Sequence, residues 1–217
     1  MNRKQAGFTL VEIAIVLVII GLLLGGILKG QEMIIQAKIK NVLADFSGVS
    51  AAYHGYQDRY RAIPGDDPGA AARWAVAPAA TAGNGNGVVG GTYNNGGVVC
   101  TAAVEACSWW DHLRRSGFVS GIGVQQPFNA LTGLVGVQTG DGAGAVTMGG
   151  MSGLIMCSAN LPDKIAIAVD TQMDDGNPAT GVVRGDLQVA PNPNVDNTPA
   201  AAYAETGTNV YVLCRAL

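Results

Sequence analysis

The chain has 217 residues, of which 48% are hydrophobic, 13% are charged and 31 are glycine, with a formal net charge of −3. An average domain is about 25% charged, so this one is charge-poor, and its apolar content excludes a wholly disordered chain. The absence of a basic excess argues against a nucleic-acid partner held through phosphates. The length suits one ordinary domain with an appendage.

Met1 to Gly7 is polar and carries Arg3 and Lys4, whereas Phe8 to Leu28 holds 21 residues with one charge, Glu12. As a helix, that run is roughly 32 Å long against a hydrocarbon core of about 30 Å. The basic pair before it keeps the amino end cytoplasmic by the positive-inside tendency. The run passes through Gly25, Gly26 and Gly30 into a polar, helix-friendly stretch with no small-residue secretory cleavage site, so it reads as retained. A carboxylate at the centre of such a span costs roughly 2.5–3.5 kcal/mol. Either Glu12 lies close enough to the interface to be tolerated, or a cation pairs with it. No Lys or Arg lies between residues 5 and 28, so that cation comes from another chain or from the α-amine that cleavage after Gly7 would expose. The Gly21-x-x-x-Gly25 and Gly26-x-x-x-Gly30 spacings suit close packing of membrane helices.

The string Gly7-Phe8-Thr9-Leu10-Val11-Glu12, behind a basic leader and ahead of an apolar helix, resembles the type IV pilins and the pseudopilins of type II secretion. The close resemblance covers about residues 5–35, with Lys29 standing where many relatives carry proline. It implies that a prepilin peptidase cuts between Gly7 and Phe8 and methylates the Phe8 amine, which Glu12 of a neighbouring subunit then neutralises. It also implies a single-pass protein of the bacterial inner membrane, amino end cytoplasmic and head periplasmic, that later enters a pilus or a periplasmic pseudopilus. The partners so implied are identical or related pilin subunits, the peptidase, an inner-membrane platform protein and an assembly ATPase.

Beyond the span, Ile35, Ile39, Val42, Phe46, Val49, Tyr53, Tyr56 and Tyr60 recur at steps of four and three, one seam of a helix. A free coiled coil would use such a seam, but three tyrosines are bulky for one, so the face is expected to dock onto the rest of the chain. Pro64-Gly65-Asp66-Asp67-Pro68 stops the helix, and from Phe8 to about Tyr60 the rod would run roughly 80 Å. The expected organisation is a leader at 1–7, a transmembrane helix at 8–28, an amphipathic stem at 29–60 and a globular head at 61–217.

The head carries 12 acidic and 7 basic side chains. Residues 83–97 form a glycine/asparagine loop with no core side chain expected beyond Val88 and Val89, and residues 190–202 form a second loop. Ser108 caps a predicted helix that ends at Gly117. Leu131–Val137, Ala145–Met148, Leu154–Cys157 and Val210–Cys214 are predicted strands, and Pro162–Met173 a helix with proline in its first turn. A long helix on a small antiparallel sheet is an α+β fold, which the resemblance also implies. Three strings extend the likeness more loosely: Tyr56–Tyr60 with Ile63–Asp66, Trp110-x-His112-Leu113, and Met173–Pro178 with Thr180-Gly181.

Cys100, Cys107, Cys157 and Cys214 allow three pairings, and an oxidising compartment favours disulfides. The expected pairs are Cys100–Cys107, closing a short loop, and Cys157–Cys214, tethering the last strand. Asp170, Asp174, Asp175 and Asn177 crowd around Gly176, which suits the turn chemistry of a helix end. They also suit a calcium ion, for which major pseudopilins have a site in this half of the head. His54 and His112 read as structural residues. With no nucleophile elbow and no phosphate-binding loop in the sequence, a structural subunit is expected rather than an enzyme. The alternative is a membrane-anchored minor pilin that binds through its head without polymerising.

Overall fold

A computed structural model describes residues 9–140, 147–195 and 199–217. The chain divides into two compact units, Met1–Lys38 and Ile39–Leu217. Helix α1 runs over Leu10–Tyr60, 51 residues. Every side chain from Leu10 to Leu28 is exposed, and the helix is long and apolar enough there to cross a membrane.

In the second unit the predicted seam turns inward. Ile39, Val42, Phe46, Val49, Tyr53 and Tyr56 are buried, together with Ala52. Steps of three and four place them on one stripe, which the remainder of the unit covers. The helix stops at Tyr60 because Arg61 adopts the left-handed conformation (φ 54°), its amide bonding the Gln57 carbonyl at 2.8 Å. The prolines at 64 and 68 therefore follow a terminus that is already made.

A four-residue helix α2, Ala70–Arg73, precedes α3, Glu105–Arg115. The Ser108 cap is corrected: α3 begins three residues earlier, after Val104, and the Ser108 hydroxyl donates to the Ala102 carbonyl at 2.7 Å from within the helix. Four antiparallel strands follow, β1 (Val135–Thr139), β2 (Leu154–Pro162), β3 (Val183–Leu187) and β4 (Val210–Ala216), in the order β1-β2-β4-β3. Helix α4, Asp163–Met173, leaves β2 directly and returns onto β2, β3 and β4. The architecture is α+β and pilin-like.

Two strand expectations change. β1 begins at Val135, with Leu134 held to Phe128 by a lone bridge, so Leu131–Leu134 is not strand. Of Ala145–Met148, residues 145 and 146 lie outside the described residues, and Thr147 and Met148 are not strand. β3 went unpredicted, although Val183, Gly185 and Leu187 alternate with Arg184 and Asp186.

Among the described residues the sheet is covered on both sides, and only one of them by helices. Ile155, Cys157 and Ala159 of β2 share a face with Val212 and Cys214 of β4, and this face packs on Tyr93, Met148 and Met151. Those three come from loops. The glycine/asparagine stretch thus contributes a fully buried tyrosine, contrary to the expectation that only its valines could reach a core. Burying a side chain of that size contributes about 1.5–3 kcal/mol. Close approach explains one of the glycines: a Cβ at Gly83 would lie 2.2 Å from the Asp66 carbonyl carbon. The loop-covered face also carries the Cys157–Cys214 disulfide, between residues directly opposite each other in the ladder. The second disulfide joins Cys100 to Cys107.

Candidate functional site

Thr9 stands one residue before α1, and Glu12 is three residues further on. The Thr9 amide and hydroxyl both donate to Glu12 Oε2 at 2.7 Å, and the Glu12 amide donates to Thr9 Oγ1 at 3.3 Å. This is a capping box: two donors that the helix start leaves open are satisfied by side chains. It also sets the carboxylate at the positive end of the helix dipole. Sequence reasoning sought a partner for Glu12 outside the chain and missed Thr9, although the Thr-x-x-Glu spacing signals it. Gly7 and Phe8, the predicted processing residues, lie outside the described residues.

Two of the three loosely matching strings meet in the second unit. Tyr56 on α1 donates its hydroxyl to Asp67 Oδ2 at 2.6 Å, and Arg73 at the end of α2 pairs with the same oxygen at 2.6 Å. The Gly69 amide holds the other Asp67 oxygen at 2.7 Å. His112 on α3 stacks on Tyr56, accepts the Gly65 amide on Nδ1 at 2.9 Å and bonds the Thr81 carbonyl through Nε2 at 2.8 Å. The neutral ring therefore carries its proton on Nε2. Trp74 and Tyr60 close the cluster, with the Arg73 guanidinium 4.2 Å from the Tyr60 ring centroid. Burial pushes the Asp67 carboxyl up, but Tyr56, Arg73 and the Gly69 amide outweigh it and hold it below the usual carboxylate range. Burial drives the His112 ring below its ordinary value against the opposing pull of the Thr81 carbonyl, Asp67 and Asp111. Beside them, Asp66 ties down the glycine loop by accepting the amides of Gly85, Asn86 and Gly87 at 2.6, 3.1 and 2.8 Å. These contacts join α1, α2 and α3 to one another and to the loops between them. The cluster is a clasp between helices and has no nucleophile.

The acidic cluster gathers at the end of α4. One carboxylate oxygen from each of Asp170, Asp174 and Asp175 lies within 4.8 Å of the others. Ligands held at 2.3–2.6 Å from a common calcium ion are at most about 5 Å apart, so the three oxygens can share one. Asp174 Oδ2 accepts the Val182 and Val183 amides, and Asp175 accepts the Asn177 amide and the Thr180 hydroxyl, which is turn chemistry. Asp170 differs from both. It is fully buried, its Oδ2 accepts the Tyr203 hydroxyl at 2.5 Å, and its Oδ1 has no hydrogen-bond partner. Burial raises the Asp170 carboxyl, with Asp175 and Asp174 adding to the effect and Tyr203 and the Gly176 amide opposing it. An orphaned buried oxygen facing two further carboxylates is a donor set that fits a hard cation. His54, the other histidine, is exposed on α1.

The model of the prokaryotic N-terminal methylation motif matches residues 2–28 of this chain. That motif is the signature of type IV pilins and pseudopilins. No curated protein and no solved structure matches the chain.

Proposed function

We propose that this chain is a filament subunit of a type IV pilus or a related pseudopilus, stored in the bacterial inner membrane until assembly. The methylation motif supports a type IV pilin-like or pseudopilin precursor, a structural class of protein, and the long apolar amino-terminal helix fits membrane anchoring. The single observation that carries the reading is the Leu10–Leu28 stretch, exposed on every side and interrupted by one carboxylate directly under that motif. In water such a surface has no stable place. In lipid it serves as a span, and in a bundle of like helices it serves as a core. In this reading residues 1–7 are a leader, 8–28 the span, 29–60 the stem and 61–217 a periplasmic head. Prepilin peptidase cuts between Gly7 and Phe8, and a platform protein and assembly ATPase drive extraction. Glu12 then exchanges its capping-box partners for the Phe8 amine of the preceding subunit, which sets the stagger. Replacing Glu12 with alanine should lower recovery of the chain in sheared or cross-linked filaments by at least about tenfold, one charge pair in a low-dielectric core. Membrane levels should be unchanged. Normal filament entry of Glu12→Ala would refute the role given to Glu12, and absence of the parent chain from filaments would favour the non-polymerising alternative.

The Asp170 oxygen supports a second property, calcium held by Asp170, Asp174 and Asp175, which would order the α4–β3 turn. At a free calcium concentration a hundred times the dissociation constant, the gain in stability is about 2.7 kcal/mol. Its raised pKa means that Asp170 contributes stability when protonated and loses it as pH rises through the folded-state value. In chelator at neutral pH, Asp170→Asn should therefore be no less stable than the parent chain. In calcium the parent should gain thermal stability and the variant should not. A parent midpoint indifferent to calcium would remove the ion from the account.

A further inference from the structure

At the carboxyl end of α3 a cavity of about 510 Å3 opens between the helix and the following loop, lined by Pro78, Asp111, Arg114, Arg115, Gly121 and Ile122 among others. Its wall is mostly apolar, and Ile122 stands at the rim 93% exposed, an isoleucine left in water. The two arginines differ. Arg115 is neutralised by Asp111 at 2.6 Å and donates to the Pro78 carbonyl at 2.7 Å. Arg114 has no ion-pair partner among the described residues: its hydrogen bonds both leave from Nη1, to the carbonyls of Gly123 and Gln125 at 2.7 and 2.6 Å. Arg114 Nε is buried without a partner. Among the described residues that line the cavity, two guanidiniums face one carboxylate, so one positive charge is uncompensated beside an apolar wall.

The following loop runs close over that edge of the guanidinium. Gly121 adopts φ +103°, where side chains are disfavoured, and a Cβ there would lie 3.3 Å from Arg114 Nε. The other face of the guanidinium lies 5.9 Å from the Trp110 ring centroid, which fixes its plane. A guanidinium with no ion-pair partner among the described residues, next to apolar surface, is an arrangement that recognises a carboxylate. Phosphate would bring about two charges to a site with one to offset, and it offers nothing to the apolar wall.

We propose that this cavity binds an organic carboxylate carried on an apolar body. The carboxylate takes the Arg114 guanidinium, and the apolar body lies against Pro78 and Ile122. The site stands apart from the assembly reading and holds whether or not the chain polymerises.

The test uses the full chain in detergent micelles, with protein-free micelles as the baseline. N-acetyl-leucine and its uncharged amide are titrated separately by equilibrium dialysis, with tryptophan emission as a second readout because Trp110 lies against Arg114. The carboxylate should bind saturably, and the amide at least about tenfold more weakly, the loss of one charge-assisted contact. Ile122→Asn and Ile122→Asp change an exposed rim residue and leave the packing intact. The aspartate should weaken binding at least about tenfold beyond the isosteric asparagine, because it places a like charge at the mouth. Arg114→Gln removes the charge and should lose the preference for carboxylate over amide. No saturable binding, equal binding of the amide, or equal binding by the two Ile122 variants would each overturn the proposal.

Discussion

Replacing Cys157 and Cys214 together with alanine should cost the head about 4 kcal/mol, while the same change at Cys100 and Cys107 should cost about 2 kcal/mol. The difference follows from the loops each bridge closes, 57 residues in one case and 7 in the other. Cross-linking removes conformations from the unfolded chain in proportion to the logarithm of loop length, so the longer loop loses more. Position acts in the same direction. Cys157 and Cys214 are fully buried on the sheet face that Tyr93, Met148 and Met151 cover, where no helix helps to hold β2 and β4 together. Cys100 is nearly as buried but ties a loop to the start of α3, which the Val104 and Thr101 carbonyls already fasten. The measurement is the denaturant midpoint of each double variant in the full chain, with an unchanged slope showing that the same surface is exposed on unfolding. Equal losses from the two pairs would mean that loop closure does not set their contributions.

What the sequence disclosed was whatever repeats locally. The Ile39–Tyr56 seam was legible because its steps of three and four are a property of one helix, and its docking was legible because three tyrosines need a wide partner. The capping box at Thr9 was equally local and went unread only because attention rested on the charge of Glu12. Tyr93 could not be placed. It sits in a run of glycine and asparagine, and what buries it lies on strands more than 60 residues later. β3 escaped for a related reason: five residues with a glycine and two charges become a strand only through pairing with β4. Ser108 looked like a cap because it precedes two tryptophans, yet α3 is positioned by Glu105, whose carboxylate takes the Asn84 and Gly90 amides across the glycine loop. The loosely matching strings marked the clasp correctly at Tyr56, Asp66 and His112. They omitted Arg73, the charge that makes Asp67 affordable in the interior, since nothing around it in sequence distinguishes that arginine.

That pair supports the other large effect. Asp67→Asn should cost about 3 kcal/mol at neutral pH, toward the lower end for breaking a buried ion pair, because the Arg73 side chain keeps 29% of its exposure and can recruit water. The amide can still accept the Tyr56 hydroxyl but then turns its NH2 toward the Gly69 amide, so the loss reports the charge together with that hydrogen bond. The pH dependence separates two groups of the clasp. Asp67 titrates in the folded state below its unfolded value, so its contribution is complete above the usual carboxylate range and disappears as pH falls through the folded value. His112 is also depressed on folding, with the same sign at a higher pH. Near and below about pH 6.5 the unfolded chain takes up a proton that the buried ring refuses, and stability falls. Between pH 7.5 and pH 5 the denaturant midpoint should therefore drop in the parent and in Asp67→Asn, since His112 titrates in both. In His112→Gln, whose amide can accept from Gly65 and donate to Thr81 without titrating, the drop should shrink markedly. A parent midpoint that holds constant over this interval, or a glutamine variant that falls as steeply, would show that His112 does not couple the clasp to pH.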